Sequence, residues 1–253
     1  VDYTERMYRS IYDLKDFYNG DAGNHVRKIL RTHIHDWWPD VTGQRVAGIG
    51  FATPYLDIFL TEAERCIAVM PAGQGVYPWP ETGRNLTILA EESELPLETN
   101  SIDKVLLVHS LENAELMRSN LQEIWRVLKS NGRLLVIAPN RLGMWARADW
   151  SPYGQGTPYS LDQLRWFLRD NLFVYERHKS ALFMPPIRWK LVYRSAEALE
   201  RICPYFMPAL AGVHIVEASK QLYAGVDLGG GSKVTVRGRR NFAPKPEPIR
   251  YES

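Results

Sequence analysis

The sequence contains no apolar run approaching the roughly 18 residues that a membrane-spanning helix needs, so no such helix is expected. Its first residues, Val1-Asp2-Tyr3-Thr4-Glu5-Arg6, carry no apolar stretch behind a basic start, and no signal peptide is expected from them. Cysteine is scarce: Cys66 and Cys203 are the two cysteines of 253 residues, far apart and each in an apolar setting. That excludes a disulfide framework and any Cys-based metal spacing, and implies two buried thiols in a reducing cytoplasm. Charge of one sign is not in excess either. Lys and Arg number 31 against 29 Asp and Glu, a formal net charge of +2, so composition does not call for a nucleic-acid partner. No internal repeat is present. His33 and His35, two apart on a helical pattern, point to different faces, so no metal site is expected there.

What remains is an ordinary globular composition, 45% hydrophobic and 24% charged, in a chain long enough for one α/β domain with a sizeable core. Met7, Ile11, Leu14 and Phe17 fall close to helical spacing over residues 4 to 18. Val26, Ile29, Leu30, His33, Ile34 and Trp37 form a stronger amphipathic pattern that Pro39 ends. Short apolar runs then alternate with helical patterns. Strands are expected at 45–50, 66–70, 85–90, 104–109 and 133–138, with helices at 53–60 and 113–128 and a turn at Asn131-Gly132. That rhythm implies a parallel, doubly wound sheet.

After Pro139 the pattern changes. Residues 139–158 are rich in Gly, Pro and Trp and read as a long ordered loop. Ser160 is placed to cap a helix containing Leu161, Leu164 and Leu168. Two long strands, 173–184 and 212–223, flank a helix over about 189–202. The organisation expected is therefore N-terminal helices over 1–40, a Rossmann-like domain over 41–225, and a polar, basic, Pro-containing tail over 226–253 that is mobile or lies on a partner.

Three local sequences carry a family resemblance. Glu94-Leu95-Pro96-Leu97 followed by Asn100-Ser101-Ile102-Asp103-Lys104-Val105 is one; His109-Ser110-Leu111-Glu112-Asn113 is the second; the run from Leu121 to Leu134, with Trp125-Arg126-Val127-Leu128-Lys129-Ser130-Asn131-Gly132-Arg133, is the third. In order and spacing they resemble the sequence blocks of type 11, class I S-adenosylmethionine (SAM) methyltransferases. The loop Gly48-Ile49-Gly50-Phe51-Ala52-Thr53-Pro54-Tyr55-Leu56 is similar to that of a bacterial subgroup with a GxGxATPYL motif. The resemblance implies a seven-stranded doubly wound sheet with the last strand antiparallel, and SAM as cofactor.

It also implies a site. Ligands of such sheets sit outside the carboxyl ends of the strands, where strand order reverses. The resemblance places Gly48, Gly50, Phe51 and Ala52 in the loop under the methionine part of SAM, Met70 and Pro71 where a ribose-binding acid normally stands, Glu91 and Glu92 on the adenine side, and His109 in the loop that lines the pocket. Gly48 replaces the usual acid before the loop, Ala52 and Pro54 replace two glycines, and no carboxylate stands at Met70–Pro71, although Gln74 lies just beyond. Weak, shifted or lost SAM binding follows. Residues 139–190 would build the acceptor site, with Trp145 and Tyr159 as candidates to line it.

Two functions are compatible with these residues: a cytoplasmic SAM-dependent methyltransferase acting on a small molecule or a protein, or a catalytically impaired relative kept as a binding or regulatory subunit. In the second case the aromatics of Tyr77-Pro78-Trp79-Pro80 and of the loop with Trp145, Trp150 and Tyr153, together with the tail, would be partner surface; a self-packed loop or a substrate lid are the other readings. The subgroup resemblance points to a glyoxalase II-like hydrolase as a candidate partner. Arg237-Gly238-Arg239-Arg240 reads as a solvated segment rather than an RNA contact. A nicotinamide site is disfavoured, because Gly48-x-Gly50-x-x-Thr53 lacks both the third glycine and the following acid of that fingerprint.

Overall fold

The helical pattern that begins the chain folds as expected. In the computed structural model, which describes residues 10–113, 117–187 and 195–220, α1 spans Ile11–Asn19 and α2 spans Asp21–Trp37. Ala22, Val26, Ile29, Leu30 and Ile34 form the buried stripe of α2, and the Trp38 N–H closes the helix on the Ile34 carbonyl at 2.9 Å before Pro39. Residues 4–9 of the expected first helix, 189–194 of the later one, and the tail lie outside the described residues.

The remaining elements follow in alternation: β1 (Arg45–Gly50), α3 (Thr53–Leu56, continued by a 3-10 turn Asp57–Phe59), β2 (Arg65–Pro71), β3 (Thr87–Ala90), β4 (Ile102–Val108), α4 (Met117–Val127), β5 (Leu128–Pro139), α5 (Leu161–Asp170), β6 (Phe173–Ala181), α6 (Ala196–Phe206) and β7 (Val213–Lys220). The expected turn at Asn131-Gly132 is a bulge. Ile102 pairs with Leu128 and Lys104 with Arg133, so the intervening residues leave the ladder, with Asn131 at φ 61°. Ser160 caps α5 in a reciprocal capping box with Gln163.

The seven strands form one sheet in the order β3-β2-β1-β4-β5-β7-β6. β1 pairs parallel with β2 and β4, and β7 runs antiparallel to both β5 and β6. The chain goes outward one way from β1 and then returns to lay β4 on its other side, so the order reverses between β1 and β4. Val46 to Gly50 are all buried, as a central strand covered on both faces requires. One face carries α1, α2 and α3, with Val46, Leu106, Val108 and Leu135 in that core. The other carries α4 and α5, with Ala47, Val105, Leu107 and Val136 beneath them. Trp38 ties α2 to the far strand: its Nε1–H donates to Glu217 Oε1 at 2.7 Å, while Arg177 Nε donates to Glu217 Oε2 at 2.7 Å. The buried carboxylate of β7 is thereby paired.

Candidate functional site

The reversal point between β1 and β4 is where this topology places a ligand cleft. Gly50 ends β1 at φ 81°, and a Cβ there would lie 2.2 Å from the Val108 carbonyl oxygen, so only glycine lets the chain leave β1 at this angle. The Phe51 N–H then donates to that same carbonyl at 2.8 Å. At Gly48 a Cβ would meet the Ala52 and Leu56 side chains at 2.6 Å. The short helix α3 packs directly on β1 there, which leaves no room for an acidic side chain. Phe51 and Ala52 are both buried.

Above the strand ends, side chains close on one another. Met70 and Pro71 finish β2 fully buried, and the Pro71 carbonyl accepts from Gln74 N at 2.9 Å and Gly75 N at 3.2 Å in a tight turn. That turn throws Gln74 back across the cleft. Its Nε2 donates to the His109 carbonyl at 2.8 Å, at the end of β4, and its backbone carbonyl accepts the Ile11 N–H of α1 at 3.0 Å. Gln74 is 4% exposed, and its Oε1 has no hydrogen-bond partner.

His109, in the left-handed region at φ 51°, is the centre of a second set of contacts. Its Nδ1 lies 3.0 Å from Glu112 Oε1 and its Nε2 lies 2.8 Å from Tyr18 Oη. The carboxylate can only accept, so Nδ1 carries a proton, and in the neutral ring Nε2 then accepts from Tyr18. The Tyr55 O–H donates to Tyr18 Oη at 2.9 Å, and Tyr153 Oη lies 2.8 Å from it. Since the Tyr18 proton is committed to His109, Tyr153 is the donor of that pair. Tyr18 also stacks on Phe51, with ring centroids 5.5 Å apart and planes 23° apart. Burial pushes the Tyr18 and Tyr153 phenols well above their ordinary range and Tyr55 up to about 12, so all three stay protonated donors and none serves as a base near neutral pH.

The remaining expected site residues divide. Glu92 is buried and already takes Ser110 Oγ and, at 3.3 Å, Asn120 Nδ2. Glu91, the next residue after β3, is exposed. Trp145 is fully buried, with Nε1–H on the Met184 carbonyl at 2.6 Å. Tyr159 is buried with its hydroxyl on the Leu111 carbonyl at 3.1 Å, and burial together with the nearby Glu112 pushes its phenol up to about 12. Trp145 and Tyr153 meet edge to face at 5.7 Å, so those two aromatics of the 139–158 loop turn inward, while Trp150 is half-buried. The structure thus brings together Gly50, Phe51, Gln74 and His109 over β1. Tyr18, Tyr55, Glu112 and Tyr153 join them there; sequence reasoning has Tyr55 in the GxGxATPYL loop, Glu112 in the His109–Asn113 block and Tyr153 among the loop aromatics, but places none of them in the cofactor pocket and misses Tyr18 altogether. Tyr18 had a faint signal, since it continues the Ile11–Leu14 stripe of α1.

Residues 47–136 match the model of a family described as a methyltransferase domain. No curated protein matches the chain. Among solved structures, the chain is similar to a SAM-dependent methyltransferase from Mesorhizobium loti (TM-score 0.54, 15% identity, 75% of this chain and 96% of that one). It is similar in the same way to a SAM-dependent methyltransferase from Archaeoglobus fulgidus (TM-score 0.54, 15% identity, 83% and 100%). It also resembles the [4+2]-cyclase SpnF (TM-score 0.50, 16% identity, 77% and 81%). At these identities the likeness is one of fold, and the chain has the class I methyltransferase fold. The cyclase shows that the fold alone does not fix the reaction.

The cleft over β1 is closed in this structure by the protein's own side chains. No carboxylate stands at Met70–Pro71, where the family resemblance puts the ribose-binding acid. Glu92 is engaged by Ser110 and Asn120. The Gln74 amide bridges from the turn after β2 to the His109 carbonyl at the end of β4.

Proposed function

We propose that the protein acts in SAM-dependent methylation of a small-molecule or protein acceptor, and that it admits SAM only when Gln74 leaves the His109 carbonyl. The observation that carries this reading is the methyltransferase-domain match across residues 47–136, set on a sheet whose strand order reverses over the same stretch. Glu91 is the exposed acid at the adenine side. Calorimetric titration of ligand-free protein with SAM and S-adenosylhomocysteine tests the proposal. Binding of both is expected, weakened by the missing ribose carboxylate and the closed cleft to about the hundred-micromolar range. Loss of a charge-assisted hydrogen bond of about 1.5–3 kcal/mol in Glu91→Ala is expected to weaken it by roughly ten- to 150-fold. No binding of either at millimolar concentration overturns it.

The closed contacts among Gln74, His109 and Tyr18 favour a second reading, a binding or regulatory subunit on the same fold. On that reading the cleft is structural and the glyoxalase II-like hydrolase is the partner to try in a pull-down. Trp145 and Tyr153 face the core, so the partner surface would lie elsewhere.

A further inference from the structure

Lys28, Ile29, Thr32 and His33 lie at i, i+1, i+4 and i+5 of α2 and so share one side of it. Lys179 of β6 and Glu200 and Arg201 of α6 face them across a cavity of about 290 Å³. Three cationic side chains therefore line a concave site in which Glu200 is the one carboxylate among the described residues; Lys28 already has a contact of its own, so Lys179 and Arg201 carry the argument. That carboxylate is already committed: Glu200 Oε2 accepts the Leu182 N–H at 3.1 Å and Oε1 the Phe183 N–H at 2.5 Å. Lys179 and Arg201 have no ion-pair partner among the described residues. His33 is the second observation. Its side chain is only 12% exposed, neither ring nitrogen has a hydrogen-bond partner among the described residues, and Nε2 stands 3.8 Å from Glu200 Oε2, beyond bonding distance.

Folding alone does not select this arrangement. Convergent like charges repel, and a buried imidazole with two idle nitrogens forfeits the hydrogen bonds it had in water. A bound anion answers both, drawing charge from Lys179 and Arg201 and, once the ring turns one of its enclosed nitrogens to the cavity, a hydrogen bond from the His33 N–H. The Ile29 side chain and the aliphatic stems of the cations supply an apolar wall. The volume is at the lower end of small-molecule sites, roughly 300–1,000 Å³. The cation excess also argues against a metal, and the described residues contain no cluster of three or more His, Cys, Asp or Glu side chains suited to one.

We propose that the cavity between α2, β6 and α6 binds a small organic anion, a carboxylate or phosphate head carrying a short apolar body. None of its lining residues belongs to the cleft over β1, so this inference stands apart from the methyltransferase reading.

The test is calorimetry with four probes: octanoate, phenyl phosphate, inorganic phosphate and octan-1-ol. Amide chemical shifts of α2 and β6 map the site. Binding of octanoate or phenyl phosphate is expected at submillimolar to low millimolar concentration, with shifts at Thr32, His33 and Lys179. Lys179→Ala and Arg201→Glu are each expected to weaken it by roughly tenfold or more. Both positions are solvent-accessible, and an unchanged Tm checks that the fold survives. The better of the two organic anions identifies the head group. No binding of either by about 10 mM, an affinity too weak to register as a site, overturns the proposal. So does equal binding of octan-1-ol, inorganic phosphate binding as tightly as phenyl phosphate, or affinities untouched by the two substitutions.

Discussion

Tyr18→Phe removes one oxygen from the centre of the closed cleft. The ring stays, and with it the stack on Phe51 and the edge contact with Tyr55 at 5.9 Å, so no cavity larger than a hydroxyl is left. What is lost is the atom that accepts from Tyr55 and Tyr153 and donates to His109. The two remaining phenols lie 3.4 Å apart and can pair with each other. His109 Nε2 loses the Tyr18 donor in a ring that is 1% exposed. Removing that buried donor costs about 1–3 kcal/mol. In a domain of this size that lowers Tm by roughly 2–4 °C per kcal/mol, or about 4–8 °C at the middle of the range. Urea titration followed by tryptophan fluorescence measures the free energy, and scanning calorimetry the Tm. Tyr18→Phe combined with His109→Phe should show a coupling of at least about 0.5 kcal/mol, because the two share one hydrogen bond, while the loss of the His109 donor to Glu112 is common to the single His109 variant and the double one and cancels. A single variant within about 0.5 kcal/mol of the parent, at unchanged m-value, would refute the network as drawn.

Gln74→Ala removes the donor that spans the strand ends, and with one neutral hydrogen bond of about 1 kcal/mol gone, SAM affinity should rise about fivefold; an unchanged or weaker affinity counts against Gln74 as the closing group. Gly50→Ala should destabilise by at least about 3 kcal/mol, because a left-handed φ and a backbone collision combine there. Gly43→Ala, at φ 68° with nothing within 4 Å of its Cβ, is the control and should cost only about 1–2 kcal/mol; equal losses would show that the collision at Gly50 is not felt. Burial, and then His178 3.2 Å away, push His214 from 6.5 down to about 4. The unfolded chain therefore takes up a proton that the folded one refuses as pH falls from 6.5 towards 4. Stability from this residue is whole above pH 6.5 and should be about 2 kcal/mol lower at pH 5 than at pH 7. His214→Gln should flatten that part of the profile, and an identical slope in the variant would assign it to other groups.

Much of the fold was legible from local pattern. The Arg45–Gly50 strand has the bounds its apolar run gives, and the Ser160 cap is realised with Gln163 three residues on. The GxG-type loop was also legible, since a glycine at the exit of a central strand marks a backbone that turns through positive φ. The corrections come where local rules overlap with packing. The expected helix over 53–60 shortens to Thr53–Leu56 and a 3-10 turn, and the turn at Asn131-Gly132 becomes a bulge within a longer strand. Cys66 is buried as expected, whereas Cys203 is half-buried near the end of α6. No described helix is long and apolar enough to cross a membrane.

The sequence by itself determined the alternation of strands and helices, the caps and the glycines, because these follow from contacts within one turn of helix or one strand step. It also determined what the cleft lacks, since a missing carboxylate at Met70–Pro71 is a matter of residue identity. Tertiary structure alone decided what fills the cleft. Tyr18 and His109 are 91 positions apart and Gln74 and His109 are 35 apart. Which such side chains meet depends on strand order, register and the angle at which α1 crosses the sheet, and no spacing along the chain encodes those directly. The same holds for the anion cavity. The periodicity of α2 aligns Lys28, Thr32 and His33, but Lys179 and Arg201 reach them only once β6 and α6 are packed alongside.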